Sequence, residues 1–404
     1  MTIMTVQWRS RMSEYESGSR LVCKMDHISK PKVAVAYHFF AHYRSAIMQR
    51  LLDCHDNDYF LVGDRSDPDN SIESWQPPGN KMLFAPCIKV TSNLLWQKGL
   101  LGLAVRPDIS AIIFLGNANF LSTWLAAALA RLTRKRVLFW THGWLRREHG
   151  AKAIVRNLFY RLAHGLLLYG NRAKAIGAEN GFAKDRMYVV YNSLDYRTQN
   201  TIMTHVTEDR IKRIREMFFS DSKIPLLIYT GRLMKSKGLE LLLSAMSQLQ
   251  NQSFKTSLLL VGGGPEREPL AQLSKTSGLA VHFYGPCYDE HKLSELIMSA
   301  NVTVAPGQIG LSAIHSLGYG TPVITHDDPD DQGPEWEAIV PGETGEIFKR
   351  GDVHDLARVI HKWCLHPWPD EDIRKQCMTV IDHFYNPDFQ QQVINRAVAG
   401  LPGE

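Results

Sequence analysis

The chain has 404 residues, of which 44% are hydrophobic and 22% charged, so it is long enough for two globular domains and ordinary in composition. Its net charge of +5 is compatible with an acidic substrate or an anionic membrane surface, and is too small to predict binding to nucleic acid. The six cysteines form no C-x-x-C pair, which argues against a zinc site or a disulfide framework and fits a reducing cytoplasm.

The first residues contain no apolar stretch of the length that a signal peptide needs, so residues 1–30 are expected to form a poorly ordered tail. The most apolar segment, residues 100–132, is interrupted by Arg106, Pro107 and Asp108. We therefore interpret it as buried strand and helix and predict no membrane span.

From Lys32 onward, short apolar runs alternate with segments of helical spacing, as in "KVAVAYHF" followed by "YRSAIMQRLL". Such alternation predicts a parallel sheet covered by helices on both faces. The pattern stops after Asp195 and resumes at "PLLIYTG", which indicates two doubly wound Rossmann-like domains, 31–200 and 201–385, facing each other across a cleft. Residues 386–404 are predicted to form a terminal helix that can pack back on the first domain.

The stretch "LLIYTGRLMKSKGLELLLSAM" places cations between a strand and a helix. Gly231 and Arg232 follow the apolar run, and Lys237 precedes Gly238, where helical spacing begins. Free N–H groups at a helix start, an arginine fork and a lysine charge together suit a diphosphate. The alternative is that both are solvated surface cations.

Two further strand–glycine–helix turns occur in this half. In "LVGGGPERE", Gly262 opens a turn that fits tight packing as well as it fits a ligand contact. In "VAPGQIGLSAIHSLGYGTPVITH", Gly310 stands at a helix start that would expose backbone N–H groups to an anion. His315, in the same helix, is a candidate either for ligand binding or for a structural role.

The second half resembles the retaining glycosyltransferases of family 4, of the type that builds bacterial surface polysaccharides. The motifs that carry the resemblance are Gly231-Arg232-Leu233 with Lys237-Gly238, Gly262-Gly263-Gly264-Pro265, Gly320-Thr321-Pro322-Val323, and Glu337-Ala338-Ile339 followed by Gly342-Glu343-Thr344-Gly345. Together they span most of residues 224–360. The first half matches more loosely, through His142-Gly143 and "YNSLD".

The resemblance implies a GT-B fold and a nucleoside-diphosphate sugar as donor, with no other cofactor. Arg232 and Lys237 would stabilise the leaving diphosphate, and His142 would approach the transferred sugar. The expected donor-binding residues are Gly231, Gly262, Gly307, Gln308, Ile309, Gly310, Leu311, Ser312, His315 and Glu337.

The chain departs from the family at two positions. Members usually carry two glutamates eight positions apart, of which the first contacts the sugar and the second holds the ribose. Gly307 and His315 stand there instead. An imidazole can still donate to or accept from a ribose hydroxyl, whereas Gly307 can offer only its backbone.

The acceptor is expected to bind beside the first strand of the chain, where His38, Tyr43 and Arg44 follow "KVAVA". Core aromatics with a helix-start arginine explain these residues equally well. Asp328-Pro329-Asp330 has the form of a metal-binding Asp-x-Asp, but the cations already match the diphosphate, so no metal is predicted.

The predicted function is a retaining, metal-independent transferase of the hexosyltransferase type, acting on a glycan or a lipid-diphosphate-linked acceptor. The alternatives are a non-catalytic subunit that binds sugar nucleotides, an epimerase, or a phosphorylase of the same fold. We expect a cytoplasmic protein, peripheral on the inner face of the membrane, drawn there by Arg146, Arg147, Lys152 and Arg156. The apolar stripe beside these cations, Ile154, Val155, Leu158, Phe159 and Leu162, is predicted to pack in the core.

Overall fold

The computed structural model describes residues 30–67, 72–219, 221 and 223–403. The predicted tail, residues 1–30, lies outside the described residues except for Lys30. Two parallel sheets, each covered by helices, organise the rest of the chain.

The first domain contains a seven-stranded sheet whose paired strands are all parallel. Its helices are α1 (Ser45–Leu52), α2 (Leu100–Val105), α3 (Leu121–Leu132), α4 (Ala151–Tyr160) and α5 (Asn171–Glu179). The strands of this half are β1 (Lys32–Ala36), β2 (Asp58–Gly63), β3 (Met82–Phe84), β4 (Cys87–Lys89), β5 (Leu95–Gln97), β6 (Ala111–Leu115), β7 (Arg136–Thr141), β8 (Gly165–Leu168) and β9 (Met187–Val189). Among them, β4 and β5 form a separate antiparallel pair.

The second domain contains a six-stranded parallel sheet. Its strands are β10 (Leu226–Thr230), β11 (Ser257–Val261), β12 (Ala280–Gly285), β13 (Val302–Val304), β14 (Val323–His326) and β15 (Gly345–Phe348). The remaining helices are α6 (Tyr196–Met203), α7 (Glu208–Phe218), α8 (Leu239–Asn251), α9 (Arg267–Thr276), α10 (Glu290–Met298), α11 (Leu311–Gly318), α12 (Val353–Cys364), α13 (Glu371–His383) and α14 (Pro387–Ala399).

Continuous apolar runs form the central strands because helices cover both faces of each sheet. In β10 the first four residues are buried, and all five residues of β11 are buried. The sequence pattern and the architecture therefore agree: both halves are doubly wound, as in a GT-B protein.

The last helix, α14, returns to the first domain. Ile394 and Ala397 are fully buried in a core cluster of that domain, and the Tyr59 hydroxyl donates a 2.7 Å hydrogen bond to Asn395 Oδ1. The chain therefore crosses between the domains twice, once before α6 and once before α14.

The strand orders define where ligands can bind. The first sheet has the order β3-β2-β1-β6-β7-β8-β9, and the second β12-β11-β10-β13-β14-β15. The order reverses between β1 and β6 and between β10 and β13. In open parallel sheets, ligands bind beyond the carboxyl ends of strands at such reversals. In the second domain this point lies beyond Thr230 and Val304.

The prediction that the apolar stripe of helix α4 packs in the core is wrong for most of its residues. Its stripe was expected in the core, yet Ile154, Val155 and Leu158 are 64%, 52% and 55% exposed, and only Phe159 of the stripe is fully buried. The reason is that α4 reaches the core only with its last two residues, Phe159 and Tyr160. No helix in the described part of the chain has both the length and the apolarity needed to cross a membrane.

Candidate active site

The turn after β10 carries the predicted cations. Gly231 has φ +147°, a conformation that side chains rarely tolerate, and its N–H donates to the Val261 carbonyl at 2.9 Å. Lys237 Nζ donates a 2.8 Å hydrogen bond to the Gln308 carbonyl, so this side chain ties the β10 turn to the loop after β13. Burial lowers the pKa of Lys237, and the charge of Asp331 opposes that effect.

Arg232 is exposed beside this turn. Within the described part of the chain, neither Arg232 nor Lys237 forms an ion pair with a carboxylate. Both cations belong to the turn at the switch point of the second sheet, and no carboxylate of the described residues pairs directly with either, which is an arrangement suited to binding an anion.

The glycine turn after β11 packs against the turn after β10. A methyl group at Gly262 would lie 1.8 Å from the Gly231 carbonyl oxygen, and one at Gly264 would lie 2.3 Å from that of Leu233. The Leu233 N–H also donates to the Gly263 carbonyl at 2.9 Å. Glycine is therefore needed here for close backbone packing, which shapes the cation-bearing turn.

The loop after β13 leads into α11. A methyl group at Gly307 would stand 2.4 Å from the Ser236 carbonyl oxygen and 2.8 Å from Lys237 Cα. Beyond it, the Ile309 N–H donates to Gln332 Oε1 at 2.9 Å. The loop is thus held against the turn that carries Lys237 and against the segment that follows β14.

Gly310 is the N-cap residue of helix α11, and no side chain caps the helix there. The first N–H groups of a helix have no intrahelical acceptor, so those of Leu311 and Ser312 can be offered to a ligand. The start of α11 and the turn that carries Arg232 and Lys237 follow two neighbouring strands, β13 and β10, so both lie at the same edge of the second sheet.

His315 is engaged by a carboxylate that the sequence prediction missed. Its Nε2 lies 2.8 Å from Glu290 Oε1, which also accepts from the Tyr319 hydroxyl at 2.7 Å and from Gln199 Nε2 at 3.3 Å. Burial by itself would raise the pKa of Glu290, but the hydrogen bond and charge of His315 outweigh it and lower the pKa to about 2. Glu290 therefore stays ionised.

Glu337 was predicted to bind the donor, and the structure shows its carboxylate reaching from the second domain to the first. Its two oxygens accept from the backbone N–H groups of Asn171 and Arg172, at 2.7 and 2.8 Å. These N–H groups begin α5, so Glu337 satisfies a helix N-terminus across the domain boundary. Such contacts fix how the two domains meet at this end of the cleft.

The Asp-x-Asp stretch is paired with arginines. Asp328 and Asp331 accept from Arg350 at 2.5 and 2.6 Å, and Asp330 pairs with Arg172. No group of three or more potential metal ligands occurs among the residues that the structure describes.

On the first domain, His142 follows β7 and faces the cleft side of the sheet. Its ring lies 4.7 Å from the Tyr169 ring. The residue is exposed to solvent, yet the protein packed around its ring, and then the nearby charge of Arg44, lower the pKa of His142. The imidazole is therefore neutral at physiological pH and can donate one hydrogen bond and accept another.

The three predicted acceptor residues lie after β1. The Arg44 guanidinium lies over the Tyr37 and Trp140 rings, at 4.5 and 4.4 Å, and donates to the Tyr169 hydroxyl at 2.8 Å. The remaining nitrogens of Arg44, Nε and Nη2, are buried and have no hydrogen-bond partner within the described residues. The structure thus brings Arg44 close to His142. Most contacts of the Arg44 guanidinium, however, are with aromatic side chains of the core.

The other two acceptor candidates differ in accessibility. Tyr43 is 36% exposed. His38 is partly buried, and burial, followed by the charge of Arg44, lowers its pKa to about 4. Of the three, Tyr43 presents the most surface to a ligand.

Sequence reasoning missed Glu290, Glu335 and Asn192. Glu335 is 4% exposed and accepts a 2.6 Å hydrogen bond from Asn192 Nδ2, which joins the two domains. The available signal was the first glutamate of "GPEWE", two positions before Glu337.

Comparison with known proteins agrees with this geometry. Residues 210–377 match the family model "Glycosyl transferases group 1". A Mycobacterium tuberculosis protein named GDP-mannose-dependent alpha-(1-6)-phosphatidylinositol dimannoside mannosyltransferase is 34% identical over 118 residues, 28% of this chain and 30% of the relative. The glycosyltransferase EpsD of Bacillus subtilis is 27% identical over 257 residues, 59% of this chain and 63% of the relative. The matches thus span about a third to two thirds of these relatives.

A solved structure extends the likeness to both domains. Anabaena Alr3699/HepE, crystallised in complex with UDP, superposes with a TM-score of 0.66 at 15% identity, covering 92% of this chain and 100% of that one. At this identity the likeness concerns the fold. Residues 210–377 are thus similar to the group 1 glycosyl transferases, and the two-domain architecture of the whole chain is that of the GT-B fold.

Proposed function

We propose that this protein transfers a sugar from a nucleoside-diphosphate sugar to a glycan or lipid-diphosphate-linked acceptor. The observation that carries the proposal is the edge of the second sheet beyond β10 and β13, where the turn bearing Arg232 and Lys237 lies beside the start of α11 and neither cation pairs with a carboxylate of the described residues. A diphosphate supplies the missing negative charge. As the bond to the sugar breaks, that diphosphate gains charge, so fixed cations stabilise the transition state more than the bound donor.

Three further residues along the cleft are assigned to the ribose, the transferred sugar and the acceptor. His315 lies further along α11 and would hold a ribose hydroxyl. If its Nε2 carries the proton that Glu290 accepts, Nδ1 is left as the acceptor of the ring. His142, neutral at the end of β7, would contact the transferred sugar, and Tyr43 would line the acceptor side. Retention of configuration and independence from metal ions are part of the proposal, the first resting on the family resemblance.

Binding of nucleotide sugars tests this proposal directly. A panel of UDP-, GDP- and dTDP-sugars, with the free diphosphates, would be screened by thermal unfolding and then for transfer. A donor at a hundred times its dissociation constant adds about 2.7 kcal/mol to the free energy of unfolding, which is readily measured. The panel needs both UDP and GDP donors, because the names of the relatives and structural neighbours include each. If no nucleotide sugar stabilises the protein, the proposal is wrong, and stabilisation without turnover favours a non-catalytic binding subunit.

We also propose a peripheral contact with an anionic membrane, and helix α4 is the observation that favours it. Its exposed apolar side chains, Ile154, Val155 and Leu158, form an uncovered face. The cations beside it are partly neutralised, since Glu148 pairs with both Lys152 and Arg156, and Glu179 pairs with Arg147. An amphipathic helix of this kind binds through apolar insertion as well as charge.

Flotation with phosphatidylglycerol vesicles tests the membrane contact. Wild-type protein should float, and replacing Ile154, Val155 and Leu158 by serine should abolish flotation. Met217→Ser is the matched control, because Met217 is 69% exposed on the second domain. Full activity on a soluble sugar with no flotation at low salt would exclude the membrane contact and leave the transferase proposal intact.

A further inference from the structure

Glu335 is a buried carboxylate at the junction of the two domains. It lies on a short 3-10 helix, Pro334–Ala338, and is only 4% exposed. Its Oε1 accepts a 2.6 Å hydrogen bond from Asn192, which follows the last strand of the first sheet. One oxygen of this second-domain residue is therefore fixed by the first domain.

The other oxygen lies at the start of α11. A methyl group at Gly310 would be 4.0 Å from Glu335 Oε2, and one at Gly333 would be 2.9 Å from the same atom. The Gly333 N–H donates to the Ile309 carbonyl at 3.1 Å, which holds the Glu335 segment against the α11 loop. Among the described residues, no side chain other than Asn192 donates a hydrogen bond to Glu335.

No side chain can reach this part of the cleft from position 307. The place that its Cβ would occupy is filled by the backbone of Ser236 and Lys237, at 2.4 to 2.8 Å. A carboxylate that contacts a ligand in this part of the cleft must therefore come from another element. Glu335 lies beside the start of α11 and can supply it.

The order of groups along the cleft suggests what Glu335 meets. His315 lies within α11, Gly310 at its start, Glu335 beside that start, and Tyr43 on the opposite domain. A donor that places its diphosphate at the start of α11 has its sugar between the diphosphate and the acceptor domain, which is the position of Glu335.

We propose that Glu335 binds a hydroxyl of the transferred sugar and helps to determine which sugar the site accepts. This inference rests on the proposed function. Carboxylates accept hydrogen bonds from sugar hydroxyls, and a charged acceptor makes these bonds strong. Burial also raises the pKa of Glu335, which brings the protonated form, able to donate as well as accept, nearer to neutral pH.

The test compares ligands with and without the sugar. The probes are UDP-glucose against UDP and GDP-mannose against GDP, with affinities measured by calorimetry on the full chain. Glu335→Gln keeps the size of the side chain and an oxygen for Asn192. Glu346→Gln is the matched control, because Glu346 lies on β15 and pairs with Lys362 at 2.5 Å.

We expect Glu335→Gln to weaken the accepted nucleotide sugar by roughly 10- to 100-fold and to leave the affinity for the free diphosphate unchanged. An equal loss for both ligands, or no loss for either, would overturn the assignment. The wild-type measurement tests the proposed function separately: if wild-type protein binds no nucleotide sugar, both proposals fall. Equal unfolding temperatures of the variant and control would show that any loss is local.

Discussion

Placing a glutamate at position 307 gives a sharp test of the crevice. The family resemblance implies a glutamate at this position, so Gly307→Glu would improve the enzyme if the glycine were a simple loss. The geometry predicts the opposite. The new Cβ would stand 2.4 Å from the Ser236 carbonyl oxygen and 2.8 Å from Lys237 Cα, and both are backbone atoms that cannot rotate away.

The cost of this clash can be bounded. Forcing an extra group into a packed site costs about 1–3 kcal/mol. For a domain of this size, each kcal/mol lowers the unfolding temperature by about 2–4 °C, so we expect a decrease of about 2 to 12 °C. The displaced backbone carries Lys237. If the same 1–3 kcal/mol is lost from the free energy of donor binding, the affinity for the donor falls by roughly 5- to 150-fold.

Two further variants make the measurement specific. Gly307→Ala introduces the same Cβ without the carboxylate and should show most of the effect. Gly102→Ala is the control, because a methyl group there would meet no atom within 4 Å. Differential scanning calorimetry and donor titration are the assays. If Gly307→Glu gains activity at an unchanged unfolding temperature, the steric argument is refuted.

Three other predictions concern charge. Arg232→Ala and Lys237→Ala should each lower turnover by about 10²–10³-fold with the fold intact, while Lys235→Ala, an exposed neighbour, should not; near-wild-type turnover of either variant would refute the role. Transfer should be insensitive to EDTA, and complete loss that manganese or magnesium restores would establish a metal site. His38 has a pKa of about 4 against 6.5 when unfolded, so only the unfolded chain gains its proton between those values as pH falls. Stability should therefore fall from pH 6.5 to 4 by up to about 3 kcal/mol, and less in His38→Asn, as followed by urea unfolding.

The sequence alone determined the parts of this protein that depend on local pattern. Apolar runs alternating with helical spacing predict two doubly wound sheets because periodicity reports which faces are buried. Turn chemistry marked Gly231, Arg232 and Lys237, since a glycine at a strand end followed by cations is recognisable without any distant contact. These features are encoded within about twenty consecutive residues.

Tertiary structure decided everything that depends on contacts between distant segments. Nothing near His315 in the sequence indicates that its Nε2 would form a hydrogen bond with Glu290, which lies on another helix. Helical spacing could not tell whether the face of α4 at Ile154 meets core or solvent, because an amphipathic pattern is the same in both cases. Glu337 and Glu335 lie two positions apart in one short segment, yet one binds the start of α5 and the other lies beside α11. Their different roles are set by which domain surface each carboxylate meets when the two sheets come together.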